Sequence, residues 1–307
     1  MSEQSQVQQT SETATKGGKR EIFTDSHGLE VVRLHRKFID PKKFVKRGAL
    51  ESDFDQLITK SSIVVDDVTN EILFIYKKLD FDTSKIKWAL NSIKYDESTR
   101  VGGLKTTSRV FGYLPRSALR RDFCTTTSLA RAQPRHHAIV CQYGQQIAGM
   151  YCEFTPETHK KHIEVMGSKV LDEWAIKDTP FTSGIINKNN PLKYHFDSGN
   201  FKGVYSLMLG FKQDVEGGYL SIPDYGVGVE ISDNSVFMFD GQEILHGVTP
   251  IKRLSTKARR YTIVYYSMQQ IWNCLPLTDE LARIRKIKTE REMKRYKEMQ
   301  ERKNESS

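Results

Sequence analysis

The sequence predicts a mainly β domain with flanking helices, an α+β fold, and two observations carry that prediction. After Asp178 the chain breaks into short apolar segments separated by Gly, Asn, Asp and Pro, which is typical of an antiparallel sandwich or barrel. Helical periodicity dominates several stretches on either side of this region. The predicted strand segments are FTSGIIN, KYHFD, VYSLMLGF, GGYLSIP, GVGVEI, SVFMFD, HGVTPI and RYTIVYYS.

The N-terminal half supplies an arm, a hairpin and two helices. Residues 1–20 are rich in Ser, Thr, Gln and Lys, so we expect a disordered polar arm. Residues 62–78 read as two β-branched and aromatic strands around a turn. Apolar residues recur with helical period in residues 81–97, and residues 155–176 begin a second helix with Pro156 in its first turn.

The last segment, residues 277–304, predicts one long charged helix that lies outside the β core. Thr278, Asp279 and Glu280 form a suitable first turn, and neither Gly nor Pro follows. Its interspersed Lys, Arg and Glu fit a solvated helix with i,i+4 pairs at least as well as a helix that follows phosphates. Both interpretations stay open.

The composition is 38% hydrophobic and 28% charged, which is typical of a globular protein, and the net charge of +9 favours polyanionic partners. No apolar run is long enough to cross a membrane, and the polar N-terminus is unlike a secretory signal, so we expect an intracellular protein without a membrane partner. The four cysteines lack CxxC spacing. We therefore expect reduced thiols and neither a disulfide nor a zinc site.

A possible metal site begins at YHFDSGN, where His195 and Asp197 lie two residues apart. Side chains at i and i+2 of an extended segment share one face. His246 follows after several predicted strands, which can bring it back to the first two residues. Two imidazoles and a carboxylate with open positions are typical of non-haem Fe(II) oxygenases, although catalytic zinc also uses this ligand set.

Arg260 opens the last predicted strand and separates these two alternatives. The period of two places its side chain on the same face as those of Thr262, Val264 and Tyr266, and that of Arg259 on the opposite face. A buried guanidinium beside a cation needs an anionic partner. A dicarboxylate that chelates iron at one end and reaches Arg260 at the other provides one, which favours 2-oxoglutarate chemistry over zinc.

Together these motifs resemble the Fe(II)/2-oxoglutarate-dependent dioxygenases over residues 181–267. HFDSGN carries the HxD pair, GGYLSIP resembles a segment found between the ligands, LHGVTPI carries the distal histidine and RYTIVYYS the cosubstrate arginine. The resemblance implies a double-stranded β-helix core of the jelly-roll or cupin type. It also implies Fe(II), 2-oxoglutarate and O2, with His195, Asp197 and His246 as iron ligands and catalytic residues and Arg260 as the cosubstrate ligand.

The HxDxxN variant and the upstream segment SRVFGYLPRSALRRDFCTTTSLARAQPRHH are similar to the TET and J-binding-protein branch, especially its compact fungal and phage-type relatives. That branch hydroxylates the 5-methyl group of pyrimidines in DNA. Asn200 then becomes a candidate for binding a ligand or the cosubstrate, or it is simply a turn residue after Gly199. The upstream segment mixes arginines with aromatic rings, as DNA contact and base extrusion require. The substrate candidates are Arg109, Phe111 and Arg116.

The predicted function is hydroxylation of 5-methylcytosine or thymine in DNA. The alternatives are the same chemistry on a protein side chain, on RNA or on an alkylated base, and a non-catalytic nucleic-acid-binding module. We expect a cytoplasmic or nuclear location, or the cytoplasm of a phage-infected host. The predicted domains are the arm at 1–20, a dioxygenase domain at 21–276 and the charged helix at 277–307. Within the dioxygenase domain, residues 21–180 lie on the substrate side and residues 181–275 form the core.

Overall fold

The computed structural model describes residues 23–99, 105–117 and 122–305. The predicted arm at residues 1–20 lies outside these ranges. The described strands form one large sheet, one small sheet facing it and one isolated pair. The sequence left a sandwich and a barrel open, and the described strands show two facing sheets rather than a closed barrel. The mainly β prediction with flanking helices is confirmed.

The strands, numbered in chain order, have the following bounds: β1 Phe23–Thr24, β2 Glu30–Leu34, β3 Gln56–Ile58, β4 Ser62–Asp66, β5 Ile72–Lys78, β6 Asp96–Thr99, β7 Lys105–Leu114, β8 Thr125–Thr126, β9 Ser183–Lys188, β10 Ser206–Gln213, β11 Val215–Gly217, β12 Leu220–Ile222, β13 Val227–Val229, β14 Ser235–Phe239, β15 Gly247–Val248, β16 Ile251–Arg253 and β17 Arg259–Tyr266. The α-helices are α1 Pro41–Phe44, α2 Ser84–Ser92, α3 Ser128–Ala132, α4 Pro134–Phe154, α5 Pro156–Lys169 and α6 Leu277–Glu305.

The large sheet has the order β1-β2-β4-β5-β14-β10-β17-β9-β7-β6, with β8 paired to β7. The small sheet has the order β15-β12-β13-β3, and β11 pairs with β16. The predicted hairpin at residues 62–78 is confirmed as β4 and β5, which pair antiparallel. Its turn uses Asn70 at φ +60°, a left-handed conformation that asparagine adopts more readily than most residues.

Each face of the large sheet packs against a different layer. On β10 the side chains of Leu207 and Leu209 pack in the cluster that contains the helices, whereas Met208 packs with the small sheet. Strand β17 follows the same alternation, with Ile263 and Tyr265 in the helical cluster. The period of two along each strand therefore separates a helix-covered face from a face that encloses a cavity.

Helix α4 covers the centre of the helical face and is an element that the sequence analysis missed. Its apolar side chains recur with a period near 3.6, as in Val140, Tyr143 and Ile147, and they are buried. The helix approaches β17 closely at Gly144, where a Cβ would lie 2.9 Å from the Tyr265 ring. Both predicted helices around it, α2 and α5, are confirmed, although each ends earlier than the periodic stretch suggested.

Two predictions need correction, one about a strand and one about the cysteines. KYHFD is not a strand among the described residues: it contributes an isolated bridge between His195 and His246. The prediction of reduced thiols is wrong for two cysteines, because Cys124 and Cys274 form a disulfide across 150 residues of sequence. Spacing could not reveal this pair, since no local pattern records which distant cysteines a fold brings together.

Helix α6 is confirmed as long, charged and mostly exposed, and the body holds its first turn. Glu280 is completely buried and accepts hydrogen bonds from Arg116 Nη2 at 2.6 Å and from Cys124 N at 3.1 Å. Arg283 forms a further ion pair with Asp122 at 3.1 Å. No helix in the described part of the chain is both long enough and apolar enough to span a membrane.

Candidate active site

The HxD segment and the distal histidine meet through backbone hydrogen bonds. His195 N donates to His246 O at 2.9 Å, and His246 N donates to His195 O at 3.1 Å. The imidazole centroids lie 4.4 Å apart. Asp197 N donates to Gly241 O at 2.7 Å, which holds the carboxylate on the same side. The structure therefore brings together the three residues that the sequence selected.

Hydrogen bonds fix the tautomers of both histidines. His195 Nδ1 lies 2.8 Å from Lys193 O, and His246 Nδ1 lies 2.9 Å from Ile244 O. Because a carbonyl oxygen can only accept, each Nδ1 carries a proton, and the Nε2 atoms are the ones that face the Asp197 carboxylate. Burial lowers the pKa of His246 to about 4, against the opposing attraction of Asp197. His246 is therefore neutral at physiological pH, as a metal ligand must be.

The three candidate ligand atoms point at one small region. His195 Nε2 and His246 Nε2 lie 3.5 Å and 3.8 Å from Asp197 Oδ1. One ligand atom from each residue falls within 4.8 Å of the others, which is the spacing of donors around a single metal ion. With three donors supplied by the protein, a six-coordinate ion keeps positions for other ligands.

Gly241 creates the space that the Asp197 carboxylate occupies. A Cβ on Gly241 would lie 2.3 Å from Asp197 Oδ2 and 2.9 Å from its Cγ. Contacts this short force a shift, so the carboxylate reaches its position only beside glycine. This residue was not among the sequence candidates, and no local pattern marks it, because the crowding comes from a residue distant in the chain.

Arg260 lies in the same cavity, on the strand face that the period of two selected. Thr262, Val264 and Tyr266 line the cavity with it, whereas Tyr261 packs on the helical face. The Arg260 side chain is 3% exposed, and its Nε and Nη2 atoms have no hydrogen-bond partner among the described residues. Burial lowers its pKa to about 10, so it keeps its charge at neutral pH.

The unsatisfied guanidinium shows that an anion fits here. A buried donor without a partner costs about 1–3 kcal/mol, and more when charged, so the fold retains this arrangement at a penalty that a carboxylate removes. Gly218, at φ +67°, makes room for the arginine: a Cβ there would lie 3.0 Å from Arg260 Cδ and Nε. The GGYLSIP motif thus contributes space for the arginine.

The cavity has a volume of about 260 Å³ and combines a polar side with an apolar side. Asn200 lines it and donates to Ser206 Oγ at 3.2 Å. Asn187 and Asn190, which the sequence analysis did not select, also line it and hydrogen-bond each other at 3.1 Å. The apolar side contains Met208, Leu220, Phe239, Val248 and Val264.

None of the three substrate candidates lines this cavity. Phe111 is completely buried on the helical face, with its ring 5.0 Å from that of Tyr265, so the prediction that it contacts substrate is wrong. Arg109 is mostly buried and paired with Asp96. Arg116 is paired with Glu280. These two guanidiniums bind carboxylates of the protein itself, and their role in DNA binding stays a prediction without geometric support.

Other upstream residues also contact the protein itself. The Arg135 guanidinium lies 5.1 Å from the centroid of the Trp88 ring, and Tyr113 packs edge-on against Trp174 at 5.5 Å. Arg120 and Arg121, two arginines of the upstream segment that we predict to contact DNA, lie outside the described residues. The described residues of the upstream segment named above thus pack against, or pair with, other residues of the protein.

Comparison with known proteins agrees with the resemblance found in the sequence. The model of the Tet_JBP family, the oxygenase domain of the 2OGFeDO superfamily, matches residues 115–269. Thymine dioxygenase JBP1 of Trypanosoma brucei brucei is 22% identical over 197 residues, which cover 63% of this chain and 23% of that protein. The bifunctional helicase and thymine dioxygenase JBP2 of the same organism (strain 927/4 GUTat10.1) is 24% identical over 253 residues, covering 79% of this chain and 22% of that protein.

Among solved structures, NgTET1 in complex with 5mC DNA superimposes with a TM-score of 0.51 at 15% identity, covering 75% of this chain and 90% of that one. At this identity the likeness shows the fold alone. This chain spans about a quarter of the length of the curated relatives described above.

Proposed function

We propose that this chain, which belongs to the Tet/JBP oxygenase family of the 2-oxoglutarate/Fe(II) dioxygenase superfamily, hydroxylates the 5-methyl group of a pyrimidine in DNA. The relatives named as thymine dioxygenases support this substrate class. The observation that carries the proposal is one cavity that contains His195, Asp197, His246 and the unsatisfied guanidinium of Arg260.

The donor set of the cavity fits Fe(II) and 2-oxoglutarate. His195 and His246 offer Nε2 donors and Asp197 a carboxylate, a combination that suits ferrous iron. Arg260 fits the distal carboxylate of the ketoacid through charge-assisted hydrogen bonds, and Thr262 is its neighbour on the same face. When bound, iron, 2-oxoglutarate and O2 together supply the oxidant that hydroxylates a C–H bond, with succinate and CO2 as co-products.

The protein's own part in this reaction is positioning. The backbone bridge between His195 and His246 fixes both imidazoles, and Gly241 leaves room for Asp197. The apolar side of the cavity excludes water from the reacting carbon, and the asparagines offer amides to a polar edge. A base inside a duplex must leave the stack to reach such a site. DNA is therefore the proposed partner, and an intracellular location, cytoplasmic or nuclear, goes with it.

The proposal is tested with three kinds of DNA duplex. The first contains 5-methylcytosine, the second contains thymine but no 5-methylcytosine, and the third contains neither base. The protein is incubated with Fe(II) and 2-oxoglutarate, and nucleosides are analysed by mass spectrometry. We expect a hydroxymethylpyrimidine product that disappears in His195→Ala and Asp197→Ala and persists in the control His27→Ala, a histidine outside the cavity. The absence of oxidised pyrimidine under conditions of turnover would sink the DNA assignment.

Succinate measurement distinguishes the remaining possibilities. Succinate formation with RNA, an alkylated base or a protein substrate, but not with methylated DNA, would assign the same chemistry to another substrate. Binding of DNA without succinate formation by the iron-loaded protein would identify a non-catalytic module.

A further inference from the structure

Phe38 is a large apolar side chain that the fold leaves in solvent. It is 99% exposed, more than any other large hydrophobic residue in the described part of the chain. Burying an apolar ring stabilises a fold, and the exposed Phe38 ring contributes no such stabilisation here. A lone exposed Phe carries no conclusion by itself, so its surroundings decide what it can bind.

The residues that precede Phe38 are held in place by the protein body. Arg36 pairs with Asp224 at 3.3 Å, and Lys37 pairs with Asp55 at 3.1 Å. Lys37 N also donates to Asp224 O at 2.5 Å. The backbone that leads into Phe38 is therefore held in position by contacts with the rest of the protein. Its exposure is a feature of a fastened segment, residues 36–46, which we name the Phe38 segment.

The other anchors of the Phe38 segment contact the immediate neighbours of the candidate iron ligands. Ile39 and Phe44 pack in a small cluster with Tyr194, Phe196 and Leu245. Tyr194 directly precedes His195, and Phe196 lies between His195 and Asp197. Leu245 directly precedes His246. Lys46 N donates to Tyr194 O at 2.9 Å, and Tyr194 N donates to Arg47 O at 2.9 Å. The Phe38 segment is thus built directly onto the site.

The charge of the Phe38 segment favours a polyanion. Lys42, Lys43 and Lys46 are exposed and form no ion pair with any described residue. The single acidic side chain of the segment, Asp40, accepts a hydrogen bond from Lys42 N at 3.0 Å at the start of α1. The Phe38 segment therefore carries one exposed aromatic ring and three ammonium groups without an ion-pair partner among the described residues. It packs against the neighbours of the candidate iron ligands.

We propose that the Phe38 segment binds duplex DNA, with Phe38 inserted into the base stack near the target nucleotide and the three lysines on phosphates. This inference rests on the proposed function and names how the substrate is held. Extruding a base leaves a gap and costs stacking energy, and an apolar wedge fills such a gap. Stacking of an aromatic side chain on a base strengthens binding without depending on the base sequence, and each lysine on a phosphate releases counterions.

The role of Phe38 is tested by comparing duplex and single-stranded substrates. We expect Phe38→Ala to weaken binding and oxidation of a methylated duplex by about tenfold, the lower part of the range for one stacked ring. Activity on a single-stranded oligonucleotide should stay within about twofold of the wild type, because no duplex gap has to be filled. Phe38→Trp should keep duplex activity, and Val68→Ala, at another exposed apolar residue, should match the wild type.

The role of the lysines is tested by salt dependence. The double variant Lys42→Ala/Lys43→Ala should reduce the slope of log K against log salt for duplex binding by about 2, roughly one for each lost phosphate contact. The charge-matched control Lys60→Ala/Lys257→Ala removes two exposed lysines outside the Phe38 segment and should leave the slope unchanged.

The outcomes separate this inference from the proposed function. If the wild type oxidises methylated duplexes but Phe38→Ala binds and oxidises them equally well, the Phe38 segment does not contact DNA and the proposed function stands. If no methylated DNA is oxidised, fluorescence anisotropy with the same duplexes decides the inference: weaker binding by Phe38→Ala supports it, and unchanged binding overturns it. Loss of binding to anionic lipid vesicles in Phe38→Ala, without any change in DNA affinity, would assign the segment to a membrane and overturn the inference.

Discussion

Glycines decide where the charged side chains of the active site can lie. Gly241 faces the Asp197 carboxylate and Gly218 faces the Arg260 side chain, and a Cβ at either position would crowd its neighbour. The Gly241 contact is the shorter, at 2.3 Å from Asp197 Oδ2 against 3.0 Å for Gly218 and the Arg260 side chain. At the scale of single residues, the site therefore depends on the absence of a Cβ atom at these glycines as well as on its charged side chains.

We expect Gly241→Ala to weaken Fe(II) binding by about 10–100-fold, the usual effect of disturbing a residue that orients a metal ligand. The new methyl group displaces the Asp197 carboxylate, while the two histidines keep their backbone bridge. Anaerobic titration with Fe(II) measures the change. Gly149→Ala is the control, because no atom lies within 4 Å of the added Cβ. Equal iron affinity in both variants would contradict this role for Gly241.

Arg260 and its neighbour Arg259 form a natural matched pair. We expect Arg260→Met to raise the KM for 2-oxoglutarate at least about 30-fold, because a buried carboxylate loses its charged partner. Arg259→Met should leave the KM within about twofold, since that side chain lies on the other face of β17. Succinate formation at varied ketoacid concentration measures both variants. Similar KM values in the two would remove Arg260 as the cosubstrate ligand.

At the scale of elements, the first turn of α6 is an anchor and the remainder is solvated. Glu280 accepts hydrogen bonds from Arg116 and from the backbone amides of Cys124 and Leu275. The disulfide between Cys124 and Cys274 fastens the same junction. The carboxylate thus joins α6 to the segment that follows β7, which explains why the sequence's candidate Arg116 serves the fold.

We expect Glu280→Ala to lower the free energy of unfolding by about 3 kcal/mol, because it leaves a guanidinium and two amides without their acceptor. Arg116 reaches solvent in part, so the loss lies at the lower end for a broken buried pair. Urea denaturation measures it. Glu290→Ala on the exposed part of α6 should change stability by less than about 0.5 kcal/mol. A small effect at both positions would show that α6 is not anchored by Glu280.

At the scale of the whole molecule, the large sheet separates two environments. Helices α2 and α4 cover one face with an aromatic and aliphatic core, and the cavity opens on the other. The Nε2 atom of His162 on α5 lies 2.9 Å from Oγ of Ser267, the residue that follows the cavity-lining Tyr266. Phe181 and Phe201 surround the completely buried ring.

His162 makes the stability of the molecule depend on pH. Burial, with a smaller effect of His159, lowers the pKa of His162 from 6.5 to about 3. Below pH 6.5 the unfolded chain therefore takes up a proton that the folded protein excludes, and stability falls by about 1.4 kcal/mol per pH unit from this group until the folded pKa is reached. We expect His162→Gln to reduce the slope of unfolding free energy against pH between 6.5 and 5 by about that amount.

Denaturation at several pH values measures the slope for wild type, His162→Gln and the control His35→Gln, which changes an exposed histidine. Glutamine keeps a donor for Ser267, so a global loss of packing can be distinguished from the loss of a titrating group. A slope in His162→Gln identical to that of the wild type would assign the pH dependence to other groups.

The sequence determined the features of this protein that depend on local order. The alternation that put Arg260 on the inner face and Arg259 on the other follows from the period of two in a strand. His195 and Asp197 were paired from their spacing of two residues, although that segment forms only an isolated bridge. The strand-rich second half follows from its short apolar segments between turn residues. Helix α4 was predictable by the same kind of argument, because its apolar residues keep a helical period.

Only the tertiary structure decided which surfaces are covered and which distant residues meet. Phe111 is a core residue because α4 covers that face of β7, and Arg116 is a structural residue because Glu280 comes back to it from far along the chain. The same holds for the disulfide. Phe38 stays in solvent because its neighbours are fastened elsewhere. Periodicity is a property of one segment, whereas burial, pairing and exposure are properties of what the rest of the chain places against it.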